Sequence, residues 1–190
     1  MAIIESIATQ SVDEKGTIEK LRFREETDIY DHTRYVMKGN GANRPLYASA
    51  RGFVRSKDDP LQISEEMIEV QEIHKKTTGI RVRGEILSVG KDELNGNKFA
   101  QIKDIANEFC DYYMGRGHQA AYGIYDRGKS YEVIFSINTV NFADGSKYRH
   151  NNHDIQDEEE ACLATVVADV TGKDLQREER FDFETLKYTP

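Results

Sequence analysis

Tryptophan is absent from this sequence, proline occurs three times and cysteine twice. The two cysteines, Cys110 and Cys162, are far apart and lack CxxC spacing, which argues against a disulfide framework or a zinc knot. Both are expected as reduced thiols, buried or half-buried. No apolar run approaches the roughly 18 residues a membrane span needs, so no membrane partner is expected. The opening residues MAIIESIATQ have neither a basic region nor an apolar stretch long enough for a secretory leader, and a cytoplasmic protein is expected. Excess positive charge is missing too. With 34 acidic against 26 basic residues the net charge is -8, the wrong sign for a chain that neutralises phosphates over its whole surface. A local basic strip around Arg51, Arg55, Lys57, Lys75, Lys76, Arg81 and Arg83 is set against a mixed surface of ordinary kind.

What is present is patterned as a folded unit of 190 residues, enough for one domain with a tail: residues 1–173 as the domain and 174–190 as a charged C-terminal tail. AIIESIA reads as a short strand, and residues 10 to 26 as a loop or frayed helix. Thr27 as N-cap and Gly39 as terminator bracket a helix with Ile29, Thr33, Val36 and Met37 on its apolar side. LYASARGFV reads as a strand between loops. A second helix starts at Ser64 and ends near Gly79. IRVRGEILSV alternates as a strand. Phe99, Ile102, Ile105, Ala106, Phe109 and Tyr113 recur at helical spacing. Gln119 to Tyr125 and Ser130 to Phe142 form a hairpin about Asp126-Arg127-Gly128-Lys129. The acidic run Asp157 to Glu160 opens a last helix with Leu163, Val166, Val167 and Val170 inward. The fold class predicted is α+β, with a mixed, largely antiparallel sheet and helices on one face.

Three segments, ILSVG, IKDIANEFCDYYMGRGHQAAYGIYD and SYEVIFSINTVNFADGSKY, resemble the relaxase domain of plasmid and integrative-element mobilisation proteins. The ending FSINTVNFADGSKY carries most of the likeness, matching F-x-x-N-x-V-x-F-x-x-G-x-K-[YFW], and the similarity extends over roughly residues 28 to 170. The resemblance implies closely spaced metal-binding histidines on the strand before that phenylalanine, where a divalent ion would polarise the scissile phosphate. Aligned on Phe135, those positions are Ser130, Glu132 and Ile134. One carboxylate is no ligand set, so no metal and no other cofactor is expected.

Chemistry without a metal is sought in the first helix, where Asp28, Asp31, His32 and Tyr35 fall at i, i+3, i+4 and i+7, on a face assigned opposite the apolar side. Tyr35 also lies where the resemblance implies the nucleophilic tyrosine region. Asp28, His32 and Tyr35 are therefore the candidate catalytic residues, His32 as general base or acid oriented by Asp28, against the plainer reading of a solvated helix face. RNA would supply its own 2′-hydroxyl nucleophile, with Arg34, Arg51 and Arg55 as candidate RNA-binding residues. His150, His153 and Asp154, in H-x-x-H spacing, form a secondary metal candidate against a polar turn. Tyr112, Tyr113, Tyr122 and Tyr125 are either base-stacking or core-edge residues.

Together these features lead to an expectation of an anti-CRISPR protein of a mobile genetic element. It would be a metal-independent ribonuclease that docks on a basic type II CRISPR effector nuclease and cleaves its guide RNA. The alternative is a catalytically inactive relaxase-like mobilisation accessory that binds origin DNA or a relaxase, or an anti-CRISPR that acts by binding alone.

Overall fold

A computed structural model describes residues 3–6, 9–12, 18–21, 23–148 and 153–172, with side chains from 23 to 148 and 158 to 172. In chain order the elements are β1 (Ile3–Ser6), β2 (Thr9–Val12), β3 (Ile18–Leu21), α1 (Glu26–Lys38), β4 (Tyr47–Arg51) and α2 (Pro60–Ile73). They continue with β5 (Val82–Gly90), α3 (Lys98–Gly115), β6 (Ala120–Asp126), β7 (Ser130–Asn138) and α4 (His153–Thr171). The expected tail, 174–190, lies outside the described residues.

Five strands form one sheet in the order β1-β5-β7-β6-β4, and every neighbouring pair is antiparallel. The α+β class is as expected. Helices, however, cover both faces of the sheet rather than one. Phe109 and Tyr113 of α3 and Leu163 and Val167 of α4 pack on Leu87, Tyr122, Val133 and Phe135. Ile29 and Val36 of α1 and Ile63 and Met67 of α2 pack on Val82, Ala121, Tyr125 and Ile134 on the opposite side. The reason is in β6 and β7, which are apolar on both alternations. A strand with one solvated face alternates, whereas one buried on both faces reads as a nearly continuous apolar run. Full burial of a side chain the size of Phe109 contributes about 1.5–3 kcal/mol, and its ring meets Tyr113 and Phe135 at 5.7 and 5.8 Å between centroids.

Element ends follow local chemistry. Pro60 at the first turn and the Asp59 carboxylate, which accepts from Leu61 N–H at 3.0 Å, start α2 four residues before the expected Ser64. The helix stops at Ile73, where His74 caps it and Lys75 turns left-handed at φ 56°. Within residues 10–26, expected as loop or frayed helix, β2 and β3 pair antiparallel as a small separate sheet. α4 begins at His153, ahead of the acidic run.

Candidate functional site

The α1/α2 face is closed by unusually tight contact between α1 and β6. A Cβ on Gly123 would lie 2.0 Å from the Val36 carbonyl oxygen, so only glycine lets the helix backbone sit this low on the strand. The buried Tyr125 hydroxyl reinforces the contact by donating to the Tyr35 and Val36 carbonyl oxygens at 2.7 and 3.1 Å. This docking sets the depth of every side chain that α1 turns toward the sheet.

His32 is one of those side chains. It is 7% exposed, stacks on Phe23 at 4.7 Å, and its Nε2–H donates to the Phe135 carbonyl oxygen at 3.2 Å. Burial pushes its pKa down to about 4, against the opposing pull of that carbonyl and of Asp28. The imidazole is therefore neutral at physiological pH. Asp28 does not hold it in a pair: its carboxylate accepts from the Arg24 and Glu25 backbone N–H groups, each at 2.7 Å, as a helix-capping group. The outward face expected to join Asp28, His32 and Tyr35 is thus not formed, because His32 belongs to the buried stripe with Ile29 and Val36. Tyr35 alone of the three reaches the rim, at 36% exposure.

The three candidate arginines separate as well. Arg34 is exposed on α1 beside Tyr35. Arg51 turns to the opposite layer, where it bonds Asn107 at 2.8 Å and pairs with Asp111 at 3.3 Å on α3. Arg55 pairs with Glu69 at 2.7 Å. Arg81 and Arg83, also counted in the expected basic strip, are buried, so no continuous strip forms. Tyr113, Tyr122 and Tyr125 are fully buried core residues rather than stacking platforms. Cys110 is buried and Cys162 half-buried, both as free thiols. His150 lies outside the described residues, as do the side chains of His153 and Asp154.

A cluster not anticipated from the sequence surrounds Tyr35. Tyr125 and Glu132 are directly opposite in the β6–β7 register, so their side chains share a face. Arg127, two residues beyond Tyr125 at the tip of the hairpin, folds back over this pair. Its Nε donates to Glu132 at 2.6 Å and its NH1 to the Asn43 Oδ1 at 2.8 Å. Its guanidinium carbon lies 5.3 Å above the Tyr125 ring. Tyr35 in turn stacks on Tyr125, 6.3 Å between centroids and 19° from parallel. Asn43 is delivered by a tight turn in which Asn40 and Asn43 exchange backbone hydrogen bonds at 3.0 Å. Gly39 makes that turn possible at φ 71°, since a Cβ there would meet the Asn43 carbonyl at 1.9 Å. The hairpin puts Arg127 and Glu132 five residues apart across a turn, but nothing in the sequence brings Asn43 or Tyr35 to them.

The family model for the MobA/VirD2-like relaxase nuclease domain matches residues 35–165, well over half of the 190-residue chain. This chain belongs to that relaxase family. The relaxase match opens at Tyr35 and takes in the whole hairpin cluster, whereas Asp28, His32 and Arg34 precede it. Comparison with curated proteins gives no match. The metal implied by the relaxase resemblance does not suit the residues present. Ile134 is buried in the core at 2% exposure, Ser130 sits where the hairpin turns, and the Glu132 carboxylate is already neutralised by Arg127. Among the described residues no group of three or more His, Cys, Asp or Glu is arranged to hold a metal ion. No described helix is long and apolar enough to cross a membrane.

Proposed function

We propose that this relaxase-family chain is a mobilisation accessory that binds single-stranded nucleic acid near a transfer origin without cutting it. The observation that carries this reading is the Arg127–Glu132 ion pair at the expected metal-ligand strand. It leaves one neutralised carboxylate where cutting would need an open set of ligands on a cation. The guide-RNA-cleaving alternative needs a base facing the substrate. His32, its candidate, faces the sheet and is bonded to Phe135, so the binding reading is preferred.

The test is to incubate the purified chain with supercoiled plasmid carrying the transfer origin of its own element and with single strands from that origin, in Mg²⁺, Mn²⁺ or EDTA. The expected result is a mobility shift of the single strands in all three conditions, with no nicked circle and no tyrosyl-DNA adduct. Metal-dependent nicking would overturn the proposal. Loss of intact guide RNA in a parallel incubation with a type II effector complex would favour the anti-CRISPR reading instead.

A further inference from the structure

The rim around Tyr35 has the parts of a receptor for one nucleotide unit. The outer ring of a two-ring stack, Tyr35 on Tyr125, is partly open. Beside it stands a guanidinium fixed on three sides by Glu132, Asn43 and the Tyr125 ring. A guanidinium has five N–H donors, and the bonds to Glu132 and Asn43 use two of them. The Arg127 side chain is 33% exposed and that of Glu132 27%, so solvent reaches the pair and an anion can too. Exposed Arg34 and Lys38 on α1 and Arg44 in the turn that follows it are further cations in this part of the chain, with exposed Asp31 among them.

Stacking of a base on an aromatic ring next to a fixed cation is a sequence-tolerant way to hold single strands, because every base has a π-face and every linkage a phosphate. Glu132 matters to this chemistry because it takes the Arg127 Nε donor, one that a bidentate phosphate would use. A carboxylate and a phosphate compete for a planar, bidentate donor.

We propose that Arg127 is the phosphate-binding group of this site, held in reserve by Glu132, and that its ligand is a phosphodiester of a single-stranded nucleic acid whose neighbouring base stacks on Tyr35. This rests on the proposed function and names its contact groups. The residues implied for metal binding do not fit a cation, and in this chain a side chain supplies the positive charge instead.

The experiment is fluorescence anisotropy with the full chain and labelled 12-nucleotide single strands, DNA and RNA of one sequence, in EDTA over a salt series. Arg127→Ala should weaken binding about tenfold or more and reduce the slope of log affinity against log salt by about 0.7, the value for one lost phosphate contact on a single strand. Tyr35→Leu, which keeps bulk but loses the aromatic face, should weaken binding without changing that slope. Glu132→Gln should strengthen binding severalfold by releasing the guanidinium. Arg127→Lys, retaining the charge without the planar fork, should bind between wild type and alanine, and thermal melts confirm that each variant is folded. Tighter binding of the DNA or of the RNA strand identifies which source supplies the phosphodiester. If wild type binds but Arg127→Ala binds equally well with an unchanged salt slope, this inference fails while the proposed function stands. Glu132→Gln weakening binding as much as Arg127→Ala would likewise reduce the pair to a structural brace. If wild type binds neither strand, both the inference and the reading beneath it fall.

Discussion

The imidazole of His32 is bonded through Nε2 to the carbonyl oxygen of Phe135 at 3.2 Å, joining the middle of α1 to the central strand β7. Removing the ring leaves a cavity and a lost buried hydrogen bond. His32→Ala should therefore destabilise the chain by about 2–4 kcal/mol. Urea unfolding at pH 7 measures this, and a change under 0.5 kcal/mol, roughly what an exposed helix position gives, would contradict the buried placement.

His32 and Glu85 impose opposite pH dependences. His32 stays neutral in the folded chain down to about pH 4, while the unfolded chain takes up its proton near 6.5, so its contribution to stability is lost as pH falls across that window. Glu85 is pushed up to about 7, first by burial and also by Glu159, against the pull of Arg83 and the Tyr113 hydroxyl bond. The unfolded carboxylate releases its proton near 4.5, so stability is lost as pH rises from there through 7. Glu85→Gln removes the second dependence only. Its melting temperature relative to wild type should rise from pH 5 to pH 8, and a constant difference would refute the upward shift of the buried Glu85 carboxyl.

Gly123→Ala tests the close approach of α1 to the sheet. The added methyl would lie 2.0 Å from a backbone carbonyl rather than from a yielding side-chain end. The cost should be about 3 kcal/mol, the upper part of the usual range for overpacking. Because Tyr35 rides on the same turn of helix, oligonucleotide binding by the folded fraction should weaken too. A variant with wild-type melting temperature would show that the helix is not seated this low.

Chelation should leave the protein unchanged. With Glu132 neutralised by Arg127, EDTA is expected to alter neither the melting temperature nor oligonucleotide binding. A drop of several degrees in EDTA that Mn²⁺ restores would contradict the ion-pair reading of that strand.

The helix α3 was legible from sequence because its large apolar residues recur at one helical face, which is buried from Ile102 to Tyr113, with Phe99 half-buried at its start. The hairpin was legible from Asp126-Arg127-Gly128-Lys129, whose glycine adopts φ 79°. His32 was misplaced although the pattern held the answer. It lies three residues after Ile29 and four before Val36, on the apolar stripe, and its chemistry as a titratable group drew it to the wrong side. Two-sided coverage of the sheet was likewise written in AAYGIY and in VIFSIN, which are too continuously apolar for a strand with one wet face. The Arg127 cluster was not legible, since it depends on the β6–β7 register and on a turn that returns Asn43 from eighty-four residues away.

The Arg127–Glu132 pair also governs what single substitutions at this strand could do. A histidine introduced at position 132 alone would leave Arg127 without its carboxylate and set a fixed positive charge beside any incoming cation. Replacing Arg127 alone would leave one carboxylate and no imidazole. At position 134 an imidazole would have to enter the packed layer where Ile134 meets α1 and α2. No single substitution at this strand therefore builds a cation site by itself, because the guanidinium and the packing around Ile134 each oppose one.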